Sequence, residues 1–134
     1  MCATRFGLGM PITAVRTATV FVSDQERAID FYTKTLGFSL KAKMPMGPKG
    51  DWVEVVPPGG NTAIVLYPRS MVPDPDERRA SLVLRTTDTI GTHQELKAKG
   101  VKFTQEPVTM PWGYVFAQFE DPDGNGLGLT NQPF

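Results

Sequence analysis

Residues 11–24, PITAVRTATVFVSD, alternate in character, with Ala18, Val20 and Val22 on one face and Thr17, Thr19 and Phe21 on the other. A period of two marks a strand with one buried side. The period then lengthens. Ala28, Phe31, Tyr32 and Leu36 fall on one helical stripe, Ser23 and Glu26 have the spacing of a capping box, and Gly37 supplies a stop. Three strand-like runs come next: FSLKAKM, then DWVEVVP after a Gly/Pro turn, then TAIVLYP after PGGN. The Pro-rich, charged stretch RSMVPDPDERR reads as a linker. Beyond it SLVLRT alternates as a strand, DTIGTHQELKAKG is a helix stopped by Gly100, and VKFTQEP, WGYVFAQFED and GLGLT are strands. The turn before the last strand is EDPDGN.

The order β-α-β-β-β therefore occurs twice, which points to an internal duplication. The predicted fold class is α+β: two β-α-β-β-β modules whose curved mixed sheets enclose a cleft. One domain over residues 1–134 is expected, with module one at about 12–68, a linker at about 69–80 and module two at about 81–130. One helix covers only one face of a four-stranded sheet, so the other face is free to line a ligand-binding concavity. Strand parity assigns that face. Val53, Val55, Ile64, Leu66, Leu82, Leu84, Val115, Ala117 and Phe119 turn toward the helices. Thr17, Thr19, Trp52, Glu54, Val65, Tyr67, Ser81, Arg85, Trp112, Tyr114, Phe116 and Gln118 turn toward the cleft and are the candidate ligand-binding residues. The rings either line a cleft or fill the interior, and Glu54 and Arg85 either act separately or satisfy each other as an ion pair.

Composition narrows the partners. Lys plus Arg equals Asp plus Glu at 14 each, and no basic stripe exists to neutralise a row of phosphates, so no nucleic-acid partner is expected. The chain has one cysteine, Cys2, which cannot form an internal disulfide and fits a reducing compartment. There is no signal-like apolar run near Met1 and no stretch of eighteen apolar residues, so the expectation is a cytoplasmic protein with no membrane partner.

Three stretches, VSDQERAIDFYTKTLGF, ELKAKGVKF and DPDGNGLGL, in this order and spacing, resemble the vicinal oxygen chelate superfamily of glyoxalases, extradiol dioxygenases and bleomycin-resistance proteins. The resemblance spans Ile12 to Thr130. It implies that metalloenzymes of this kind would hold a divalent ion with one His or Glu from the first and last strand of each module. The matching positions here are Thr17, Val65, Ser81 and Gly128, so no metal and no cofactor are expected. Gly128 is either a vacancy for a ligand group or a site of close backbone packing. The segment MPWGYVFAQFEDPDGN is also similar to the Pro-Trp-Gly region of bleomycin-resistance proteins, which bind drug as homodimers. This chain lacks their net negative charge, so a flatter, less charged aromatic molecule is expected as ligand.

The reading that results is a metal-free binder of a small aromatic or polar organic molecule, a homodimer, with antibiotic or secondary-metabolite sequestration as its setting. The alternative is a glyoxalase-like lyase or isomerase acting on a carbonyl compound without the usual metal. In that case Glu54, with its pKa raised by an aromatic cleft, would be the base, and Arg85 or Tyr114 would stabilise an oxyanion. The lone His93 lies between Ile90 and Leu96 on the inward arc and reads as structural. Asp121 and Asp123 read as turn carboxylates, and the weak glycine motif GLGMP lacks the helix and lysine of a phosphate loop.

Overall fold

A computed structural model describes residues 11–73 and 79–133; Cys2, most of GLGMP and positions 74–78 of the expected linker lie outside these residues. Strands β1 (Thr17–Val22), β2 (Ser39–Pro45), β3 (Asp51–Val56) and β4 (Ala63–Pro68) form one sheet, in the order β1-β4-β3-β2. Strands β5 (Ser81–Arg85), β6 (Phe103–Thr109), β7 (Val115–Glu120) and β8 (Gly126–Thr130) form the other, in the order β5-β8-β7-β6. In each sheet the first and last strands pair in parallel and the rest antiparallel, as a repeated β-α-β-β-β unit requires. Neither sheet closes into a barrel.

Helix α1 (Gln25–Asp30) widens into a π-type turn over Phe31–Thr35, and α2 spans Thr89–Ala98. The N-cap of α1 is Asp24, whose carboxylate accepts from the Arg27 N–H, so the expected Ser23/Glu26 capping box is not formed. Both helices end on a glycine in the left-handed region, Gly37 at φ 81° and Gly100 at φ 88°, as expected.

The helix-facing sides of both sheets share a single apolar core. Val20, Val22, Val53, Val55 and Leu66 from the first module meet Leu96, Ala117, Phe119, Leu127 and Leu129 from the second. Each buried Val, Leu or Phe side chain of this set contributes roughly 1.5–3 kcal/mol. Of the side chains that strand parity turns toward the helices, Val53, Val55, Ile64, Leu66, Ala117 and Phe119 lie in this core, Leu82 and Leu84 pack against it half-buried, and Val115 is half-buried outside it. His93 stacks edge-on against Phe103 at 4.5 Å and meets Glu106 at 3.2 Å, the structural role expected of it, although Ile90 proves 51% exposed rather than inward.

The EDPDGN turn does more than reverse the chain. Asp121 accepts from the N–H groups of Asp123 and Asn125 within the turn, but also from the Tyr32 hydroxyl of the first module at 2.9 Å. Asp123 accepts from the backbone and hydroxyl of Ser23 at 3.0 and 2.6 Å, and Asn125 donates to the Phe21 carbonyl while accepting from the Ala80 N–H. Burial and this carboxylate push the Tyr32 hydroxyl far above its ordinary range, keeping it a donor. These bonds tie module to module and hold the turn that delivers β8.

Candidate functional site

The concave face of the first sheet gathers its candidates as the alternation requires. Thr19 of β1, Val65 of β4 and Glu54 of β3 lie side by side in register. Phe21 pairs with Tyr67 one step along, their rings edge-to-face at 6.4 Å, and Trp52 packs edge-on against Tyr67, also at 6.4 Å. Glu54 is the buried acid at the centre, with 3% of its surface exposed.

Its bonds differ from expectation. Trp52 Nε1 donates to Glu54 Oε2 at 2.7 Å. Arg16, just before β1, donates to the same oxygen at 3.2 Å and reaches Oε1 at 3.5 Å. Of the two readings left open for Glu54 and Arg85, the structure favours separate roles: Glu54 pairs with Arg16, and Arg85, at the exposed end of β5, donates to the Gln132 carbonyl. The electrostatics reverse as well. The Trp52 hydrogen bond, outweighing burial and assisted by Arg16 and Lys41, holds the Glu54 carboxyl below its ordinary value instead of raising it toward neutrality. A carboxylate stabilised in this way is a weak base. Sequence reasoning missed Arg16 because alternation carried through 11–24 puts it on the face of Ala18 and Val20, whereas the regular strand begins only at Thr17 and Arg16, just before it, turns toward Glu54.

The second sheet presents Ser81, Val83 and Arg85 of β5, Phe116 and Gln118 of β7, and Gly128 of β8. Ser81 and Arg85 are exposed and Val83 is 64% exposed, so in one chain this face is open. Trp112 is displaced from its expected place: β7 begins only at Val115, and Trp112 sits in the β6–β7 turn, 58% exposed. Tyr114 likewise precedes the strand, half-buried. The turn closes through Gly113 N–H to the Met110 carbonyl, which PWG chemistry favours over extension.

The four positions from which a metal would be held do not suit one. Thr17 and Ser81 offer hydroxyls, Val65 is an apolar residue without exposed surface, and Gly128 has no side chain. A Cβ at Gly128 would fall 2.9 Å from Phe116 Cε1 and 3.2 Å from Val83 Cγ2. Close packing, not a vacancy, accounts for that glycine. Among the described residues no three His, Cys, Asp or Glu side chains cluster as a metal site. No helix among them is long and apolar enough to cross a membrane.

Two modules of this topology, each with one helix and a four-stranded sheet, define a paired β-α-β-β-β protein. A model of the Glyoxalase/Bleomycin resistance protein/Dioxygenase superfamily matches residues 14–129, and the chain belongs to that superfamily. It is 42% identical over 114 residues to YetH of Bacillus subtilis (strain 168), covering 85% of this chain and 94% of that protein. Its structure is similar to that of a superfamily member from Sphaerobacter thermophilus DSM 20745, at a TM-score of 0.83 and 39% identity, over 90% of this chain and 98% of that one. It is also similar to TnmS3, an antibiotic-binding protein from Streptomyces sp. CB03234, at a TM-score of 0.77 and 42% identity, over 94% and 100% of the two chains.

Proposed function

We propose that the chain is a metal-independent small-molecule-binding protein that sequesters a flat aromatic compound, an antibiotic or related secondary metabolite. The observation that carries this reading is the replacement of ligating groups by packing groups on the concave faces. Phe116 and Val83 crowd the position of Gly128. On the opposite sheet Trp52, Tyr67 and Phe21 form a run of edge-to-face rings beside a buried carboxylate. Such rings bury flat ligands at low entropic cost and leave polar handles to orient them. Similarity to TnmS3, an antibiotic-binding protein, supports the same reading.

A homodimer completes the site in this proposal, because the second sheet's face is open in one chain. The Trp52 and Arg16 bonds that hold the Glu54 carboxyl below its ordinary value weaken the base that a metal-free lyase or isomerase would need, which favours binding over catalysis. The test joins metal analysis with calorimetry. Purified protein is expected to contain no stoichiometric zinc, nickel, manganese or iron, and to bind acridone, a neutral three-ring probe, with Trp52→Ala abolishing the heat. A tightly held divalent ion, or binding untouched by Trp52→Ala, would overturn the proposal.

A further inference from the structure

Glu54 and Arg16 are an unequal pair. The Glu54 side chain is 4% exposed, while that of Arg16 is 67% exposed. The acid is fixed: β3 holds its backbone in the sheet and Trp52 Nε1 holds Oε2 at 2.7 Å. The base is not. Only its main chain is anchored, through the Ala63 N–H to the Arg16 carbonyl at 3.0 Å, and its guanidinium reaches the carboxylate from the solvent side at 3.2 and 3.5 Å. An ion pair with one partner in water is weakly held, whereas a buried carboxylate stripped of every cation is strongly unfavourable. Glu54 Oε1 has just the longer of the two contacts, so it is the oxygen with spare accepting capacity.

These facts restrict what can replace Arg16. A neutral group in its place would leave the carboxylate without a bonded cation, only the charge of Lys41 remaining, while a cation would exchange like for like. The rings of Trp52, Tyr67 and Phe21 continue from this acid across β3, β4 and β1. Ring faces favour cations as well as flat apolar surfaces.

We infer that Arg16 is a resident counterion which a ligand's protonated amine displaces, so that the Glu54 anchor selects aromatic compounds carrying an amine. This rests on the binding reading above and adds the ligand's charge class. Arg16 competes with the ligand, and Lys41, which also lowers the Glu54 pKa by its charge but forms no bond to it, does not.

The experiment compares three probes of similar ring area by calorimetry: 9-aminoacridine as cation, acridone as neutral, and anthracene-9-carboxylate as anion. In wild-type protein 9-aminoacridine is expected to bind roughly tenfold or more tighter than acridone, with the anion weakest. Glu54→Gln, which keeps an acceptor for Trp52, is expected to erase the cation's advantage while acridone binding survives. Arg16→Ala is expected to tighten 9-aminoacridine several-fold and leave acridone unchanged, and Lys41→Ala to change neither by as much. Equal binding of cation and neutral probe, or a gain from Lys41→Ala matching that from Arg16→Ala, overturns the inference while leaving the binding function standing. Binding of none of the three removes both. Should Glu54→Gln fail to fold, the contrast between the Arg16 and Lys41 variants still decides.

Discussion

At the residue scale, the hydrogen bond from Trp52 to Glu54 sets the character of the concave face. It fixes a charge among rings and keeps it ionised, the opposite of what burial alone would do. The sign of the resulting pH dependence follows. A carboxyl whose folded pKa lies below its ordinary value of 4.5 stabilises the fold fully above that value, and the contribution is lost as pH falls through the lower, folded one. Wild-type protein is therefore expected to exceed Glu54→Gln in stability by about 1 kcal/mol at neutral pH. In thermal unfolding from pH 7 to pH 3 the gap should close on the acid side; a gap that widens there would contradict the assignment. Parity alone predicted that Glu54 faces the cleft, because alternation fixes a side chain's side of the sheet. It could not supply its partner, since Arg16 and Glu54 are 38 positions apart and meet through strand pairing.

At the scale of elements, the modules' strands and helices were legible because apolar periodicity, helix-stop glycines and turn residues agreed with one another. The errors cluster where several local choices compete. Asp24 caps α1 in place of its neighbour Ser23, whose hydroxyl is engaged by Asp123 a hundred positions away. Trp112 belongs to a turn because Pro111 and Gly113 flank it. The Asp121–Asn125 turn looked locally self-sufficient, and its cross-module bonds had no sequence signal. Asn125, fully buried, satisfies the Ala80 N–H while bonding the Phe21 carbonyl and Asp121. Asn125→Ala is expected to cost about 2 kcal/mol, since it leaves the part-buried Ala80 N–H without its acceptor and removes one of the two donors to the Phe21 carbonyl, the other being Arg69. Urea unfolding gives the value, and a loss under 1 kcal/mol would show that the turn holds without it.

For the whole molecule, the open second face makes chain pairing the decisive question. If each site takes its first sheet from one chain and its second from another, Trp52→Ala and Phe116→Ala proteins, each inactive alone, should complement. Random reassociation of equal amounts would restore about a quarter of the wild-type acridone sites, one in each mixed dimer. No recovery after confirmed subunit exchange would mean that both faces of a site come from the same chain. One feature already sets the halves apart. The carboxylates Asp121 and Asp123 reach from the second half into the first, whereas the matching hairpin of the first half, PPGGN, holds no acid. An ancestor joining two identical halves would have treated them alike; here only the later half carries the hook and only the earlier one its eye, so neither could be swapped for a copy of the other.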